Sequence, residues 1–357
     1  MNGRPLAPLL AFSLLCGFTG CATTMGSKRL PATRVDYNAA IAESSETQML
    51  LNIVRLRYRH SPHFLELNTV VTSYSLTHSG GASATANLTD PAGLTPLLSG
   101  GTNYGVSVTE RPTVTYVPLQ GEKFVTRLLQ PIPLASLLQV LSTGVRADLL
   151  FRACVHRVNG LYAPSTSEVG ADPEGFGRFI ALLGILQEQH AIAIEFEFDG
   201  VNAHPYLRFR PQANGMPWPQ AIQLQRSIGV EPGLDTYRFV AGSADRGALR
   251  DPGDIVVHGR SLLGTMVYLS QGVRVSPDSA GSMTAAGSAL DNPLLRVHVS
   301  DTKPKRVYAS AEYGGRWFYI EGADAGSQEP FVLLTTLFSL MSTTSRTAAP
   351  VLTVPAG

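Results

Sequence analysis

The pattern of apolar and polar positions changes period twice along this chain. Residues 22–35 contain Gly26, Ser27 and Pro31 and show no apolar repeat, so they read as a tether. Ser45-Glu46-Thr47-Gln48 then fits a capping box, with Gln48 reaching back to the Ser45 amide. Met49, Leu50, Ile53, Val54 and Leu56 follow at helical spacing and form one apolar face. Arg57 borders that stripe, where a cation needs an ion pair or a route to solvent.

From residue 68 to residue 116 the period becomes two. Val70, Thr72, Tyr74 and Leu76 alternate with Val71, Ser73, Ser75 and Thr77, and Ala82, Ala84, Ala86 and Leu88 with Ser83, Thr85 and Asn87. Tyr104, Val106 and Val108 alternate with Gly105, Ser107 and Thr109, and Val114 and Tyr116 with Thr113 and Thr115. This alternation predicts strands. Ser79-Gly80-Gly81 is the expected turn between the first two, and residues 90–103 the expected longer loop.

Helical patterns resume over 122–129 and 134–141, separated by Pro131 and Pro133, and residues 161–177 look like a linker. Beyond it, helices are expected over 179–189, 218–228, 261–271 and 331–341. Residues 192–198 and 206–210 predict a hairpin around Asp199-Gly200, and 306–311 with 317–321 a second around Gly314-Gly315. Residues 351–354 predict a last short strand. Helices mixed with hairpins imply an α+β fold: an N-terminal helix with low-charge antiparallel strands, then a mixed helix and hairpin region. The expected organisation is a signal peptide at 1–20, a membrane tether at 21–35, an N-terminal helix plus β-rich domain at 36–163 and a C-terminal α+β domain at 172–357.

Charge sharpens the reading. Lys and Arg number 28 against 27 Asp and Glu, a net charge of +1, so nothing marks a nucleic-acid binder. Charged residues are only 15% of the chain, against about 25% in ordinary globular domains. Across residues 68–116 the only charges are Asp90, Glu110 and Arg111. At the N-terminus, Arg4 precedes an apolar stretch over 6–18, too short for a membrane span but suited to a signal peptide. After Cys21 and Cys16 only Cys154 remains, in the apolar run 149–155, where a buried inert thiol is expected.

Motifs with catalytic potential dissolve on inspection. Glu195, Glu197 and Asp199 share a strand face, but Arg208 and Arg210 opposite them predict cross-strand ion pairs. Asp254, His258 and Ser261 form no nucleophile elbow, since Gly-x-Ser-x-Gly is nowhere in the chain. Ser300-Asp301-Thr302-Lys303 is followed by Pro304, and neither Ser-Asp-Asn nor Lys-Thr-Gly accompanies it. Gly175-Phe176-Gly177 lacks both a preceding strand and a third glycine. His60 and His63 have no Cys or acidic residue beside them, so no metal is expected, nor any other cofactor. Trp218, Trp317 and Tyr319 are candidate stacking residues for a sugar or another small molecule, although aromatics in strands and at helix starts are usually core.

Two resemblances complete the reading. Phe18-Thr19-Gly20-Cys21 resembles the bacterial lipobox, with Phe18 where that motif usually has Leu. The resemblance implies lipidation, as by palmitate, at Cys21, and Ala22 after it implies sorting to the outer membrane, facing the periplasm. Tyr37-Asn38, the run 45–58 and Pro62-x-Phe64-Leu65 look like the opening of an uncharacterised family of bacterial outer-membrane lipoproteins. The run 110–116, Pro118-Leu119 and Gly121-Glu122-x-Phe124 look like its middle motif, and 350–355 like its end. No activity or ligand comes with that family. The expected function is a non-enzymatic scaffold or assembly component of a cell-envelope complex, with a protein partner or further copies of itself. Two alternatives stay open: an oligomeric pore or secretion-channel component donating hairpins from 68–116, and a periplasmic glycan or small-molecule binder.

Overall fold

The computed structural model describes residues 25–86, 98–164, 172–200, 202–242, 251–275 and 292–341. The signal peptide at 1–20, Cys21 and the strand expected at 351–354 lie outside the described residues. The fold is α+β, as the alternating periods imply. The chain divides into two compact units, one made of residues 1–62 with 122–357 and the other of residues 63–121.

The first unit opens with α1 (Met25–Arg57), whose two halves differ. Met49, Leu50, Ile53 and Val54 are buried, whereas Arg34, Val35 and Asp36 are exposed. The helix therefore begins twenty residues before the expected start at Ser45 and takes in much of the expected tether at 21–35. Ser45 does not cap it; its hydroxyl donates back to the Ile41 carbonyl at 2.9 Å. Residues 34–45 are exposed or half-buried and carry no apolar stripe, so periodicity could not reveal them as helix. Arg57 is buried, and burial lowers its basicity.

Three short helices follow the second unit: α2 (Glu122–Leu129), α3 (Leu134–Ser142) and α4 (Ala147–Cys154). Strands β3 (Val155–Val158), β4 (Leu161–Tyr162), β5 (Ile192–Asp199), β6 (Asn202–Phe209), β7 (Thr236–Ala241) and β8 (Asp254–Gly259) form a six-stranded sheet. Its order is β4-β3-β8-β7-β6-β5, antiparallel except for the parallel pair β7–β8. The boundary expected at 163–172 consequently cuts across one sheet, since β3 pairs with β8. A four-residue strand at 155–158, with three residues paired to β8, is too short to show an alternating pattern, and its partner lies about a hundred positions away.

Helices α5 (Pro173–Glu188) and α6 (Pro219–Ser227) pack against each other, and α4 packs on α5. Helix α7 (Leu262–Ser270) and the C-terminal helix α8 (Ala325–Met341) accompany a three-stranded sheet. That sheet is ordered β10 (Val307–Tyr313), β11 (Arg316–Glu321), β9 (His298–Ser300). Gly314 and Gly315 take positive φ, 59° and 76°, as a two-residue hairpin turn requires. The buried end of α1 packs against β10, β11 and α7, among core residues Met266, Phe318 and Ile320.

The second unit is a single hairpin, β1 (Phe64–Ala86) with β2 (Leu98–Leu119). Ser79-Gly80-Gly81 is not a turn: Gly80 pairs with Tyr104 and Gly81 with Asn103 in mid-strand. The expected loop 90–103 is likewise shorter at its far end, because β2 starts at Leu98. Paired glycines extend readily once each has a cross-strand partner, which no local pattern discloses.

Candidate functional site

The hairpin joins 22 cross-strand pairs, from Phe64 opposite Leu119 to Ala86 opposite Leu98. Twenty-three residues of strand reach about 75 Å at ~3.3 Å each. Paired residues of an antiparallel ladder share a face, so the register sorts the positions into two rows. One row runs Leu76, His78, Gly80, Ala82, Ala84 and Ala86 on β1, opposite Val108, Val106, Tyr104, Thr102, Gly100 and Leu98. The other runs Thr77, Ser79, Gly81, Ser83 and Thr85, opposite Ser107, Gly105, Asn103, Gly101 and Ser99. Every Leu, Val, Ala and Tyr of these eleven rungs is in the first row; the second holds only Ser, Thr, Gly and Asn.

Nearer the body the first row continues through Tyr74–Glu110, Thr72–Pro112 and Val70–Val114. A bulge at Asn68 then separates Leu67–Tyr116 from Thr69–Thr115. With Asn68 left out of the ladder, Leu67 and Leu65 stay in the row of Val114 and Tyr116. Were Asn68 itself paired in the ladder, they would fall in the opposite row. Leu65, Val114 and Tyr116 are all exposed. Among the described residues, the two strands make a sheet only two strands wide.

In the body, each residue with catalytic potential is already engaged. Arg208 donates to Glu195 at 2.7 Å across the β5–β6 hairpin, and His204 faces Asp199 at 3.9 Å. Asp254 accepts two bonds of 3.0 Å from Arg238, His258 contacts Arg157, and the Ser261 hydroxyl caps α7 by accepting from the Gly264 amide at 3.0 Å. These three groups therefore form no proton relay. Ser300 ends β9, and its hydroxyl accepts from the Thr302 amide at 3.2 Å rather than opening a helix. Gly175 and Gly177 belong to the first turns of α5, capped by Asp172. The His60 ring meets the Tyr313 hydroxyl. Among the described residues no group of three or more His, Cys, Asp or Glu could hold a metal ion.

Cys154 is fully buried at the end of α4, and burial pushes its thiol up to about 12. Arg260 is also buried; it donates to the Arg152 and Ala153 carbonyls at 2.8 and 3.0 Å and stacks on Tyr268. Asp324 accepts two bonds from Arg296, at 3.0 and 2.8 Å, and one of 2.6 Å from the Ser327 hydroxyl. Arg296 holds the Asp324 carboxyl well below the usual carboxylate range.

The three candidate stacking residues are divided between two places. Trp317 and Tyr319 lie two apart on β11, where Lys303 sits over Trp317 at 5.1 Å and His298 stacks on Tyr319 at 5.5 Å. Trp218 starts α6, a helix that belongs with α5. A cavity of about 890 Å³ opens between α3, α4 and α8, lined by Val140, Leu149, Tyr308, Val332, Leu333 and Leu340. None of the three aromatics lines it.

Comparison with known proteins adds nothing to this geometry. No family model, curated protein or solved structure matches the chain.

The feature that distinguishes this molecule is thus the hairpin. Its strands were legible from alternation, but the agreement in phase between β1 and β2 was not. Residues 70–86 and 98–114 each alternate on their own, and only their register shows that both apolar sets fall in one row.

Proposed function

We propose that this chain is an outer-membrane lipoprotein, anchored through Cys21, that acts as a non-enzymatic assembly component of the cell envelope. Its β1–β2 hairpin pairs edge to edge with the hairpins of further copies. The observation that carries this is a ladder of 22 pairs in a sheet two strands wide. Isolated two-stranded hairpins are marginal in water and are stabilised by more strands. An edge strand presents backbone donors and acceptors that template another strand. Head-to-tail placement sets β2 of one copy antiparallel to β1 of the next, a heterologous contact that closes into a ring. The engagement of Glu195, Asp254, His258 and Ser261 in ion pairs and caps supports the non-enzymatic reading.

The test is the mass of the lipidated full chain, solubilised from envelopes in mild detergent. A homo-oligomer is expected, reduced to monomer when residues 64–119 are replaced by a short Gly/Ser linker. In the same cells, Cys21→Ser abolishes incorporation of radiolabelled palmitate into the protein. A monomeric full chain, or an oligomer that survives loss of the hairpin, would overturn the assembly; unchanged palmitate incorporation into Cys21→Ser would overturn the anchor.

A further inference from the structure

We infer that the distal eleven rungs of the hairpin, Leu76–Val108 to Ala86–Leu98, form one copy's share of a transmembrane β-barrel wall around a water-filled, uncharged channel. This rests on the edge-to-edge assembly proposed above.

Three observations converge on this segment. The first is length. Each strand contributes eleven residues, and spanning strands need about 9–11. Eleven residues extend ~36 Å, and tilted by about 40° they rise ~28 Å, against an apolar band of ~25 Å. The second is the separation of rows. A barrel wall needs alternate residues apolar toward lipid and polar toward the lumen, in phase on neighbouring strands. The register meets that condition closely: Leu76, Ala82, Ala84, Ala86, Leu98, Tyr104, Val106 and Val108 share one row with His78, Thr102 and two glycines, and the opposite row is wholly Ser, Thr, Gly and Asn. The third is charge and proline. Neither strand carries Asp, Glu, Lys, Arg or Pro within these rungs, whereas Glu110, Arg111 and Pro112 follow one residue beyond Val108, after Thr109. Tyr74 pairs with Glu110 at that edge, the position at which barrel walls place aromatic side chains against the headgroups.

A soluble sheet would also alternate, but it has no need for a charge-free length matched to a bilayer. Nor does it need a polar row without a single Lys, Glu, Asp or Arg, the side chains by which soluble sheets keep their edges apart. The assignment also fixes the chemistry of the channel. A lumen of hydroxyls, the Asn103 amide and backbone presents no ring of charge, so it conducts ions with little preference for sign.

Cysteine scanning of the full lipidated chain, in vesicles of phosphatidylcholine and phosphatidylglycerol, tests the assignment. Buried Cys154 does not compete for the probe. A charged, water-soluble thiosulfonate is expected to modify Ser83→Cys, Thr85→Cys and Ser99→Cys and to reduce conductance. Ala82→Cys, Ala84→Cys and Val106→Cys are expected to resist it, and a fluorophore attached there beforehand should be quenched by nitroxide lipids. Ser83→Asp should shift the reversal potential toward cation selectivity, while Ala84→Asp should abolish conductance. The oligomeric mass is measured for every variant. An intact oligomer that conducts nothing, or whose two rows react alike, would overturn the channel and leave the assembly standing. Loss of the oligomer in the unmodified chain would overturn both.

Discussion

Asp324 shows how much one side chain can organise. It precedes α8, accepts from the Ser327 hydroxyl and amide, and holds Arg296 through two bonds, while the Arg296 amide donates to Ser327. Because its folded-state carboxyl titrates lower than in the unfolded chain, its stabilisation is complete above pH ~4–5 and is lost as pH falls further. Asp324→Ala should destabilise the protein by about 1–3 kcal/mol at pH 7. Its urea midpoint should also fall less steeply than that of the unmodified chain on acidification. The helix began at Ala325 and not at residue 331 for the same reason: Asp324 and Ser327 open it upstream of Pro330. No apolar pattern marks those first residues, and the partner Arg296 lies 28 positions earlier.

At the scale of elements, α1 divides into a half that packs and a half that does not. Leu50 and Ile53 have no exposed surface, whereas Val35 is 66% exposed. Leu50→Ala should cost about 2–5 kcal/mol through lost burial and the cavity it leaves. Val35→Ala should cost less than about 0.5 kcal/mol, and thermal denaturation of the two variants would check the contrast. The sequence located the packed half correctly, because only burial imposes helical spacing on apolar residues. The exposed half obeys no such constraint, so Ser45 looked like a beginning. Strand β1 follows the same logic in reverse. Its alternation was visible, yet Gly80 and Gly81 interrupted it with the residues that usually make turns, and only pairing with Tyr104 and Asn103 identifies them as strand.

Taken as a whole molecule, the chain is a body interrupted by a hairpin. Phe64 pairs with Leu119, so the insertion returns to where it leaves. The first unit resumes at Glu122. Replacing residues 64–119 by a short linker should therefore leave the thermal transition of the body within a few degrees of the full chain. Differential scanning calorimetry of the two proteins would show it; a body that no longer unfolds cooperatively would mean that the hairpin completes the core.

The sequence by itself determined what each segment wants: an apolar helix face from Met49 to Val54, alternating strands across 68–116, and hairpins at Gly200 and Gly314-Gly315. These are local properties, set by period and by residue type, and they survive in any α+β arrangement. Tertiary structure alone decided which segments meet. It put β3 in one sheet with β8, drew Asp324 onto Arg296, and aligned β1 with β2 so that the apolar positions of both fall in a single row. Pairing between distant segments is governed by register, and shifting one strand by a single residue exchanges its faces while leaving its own pattern unchanged.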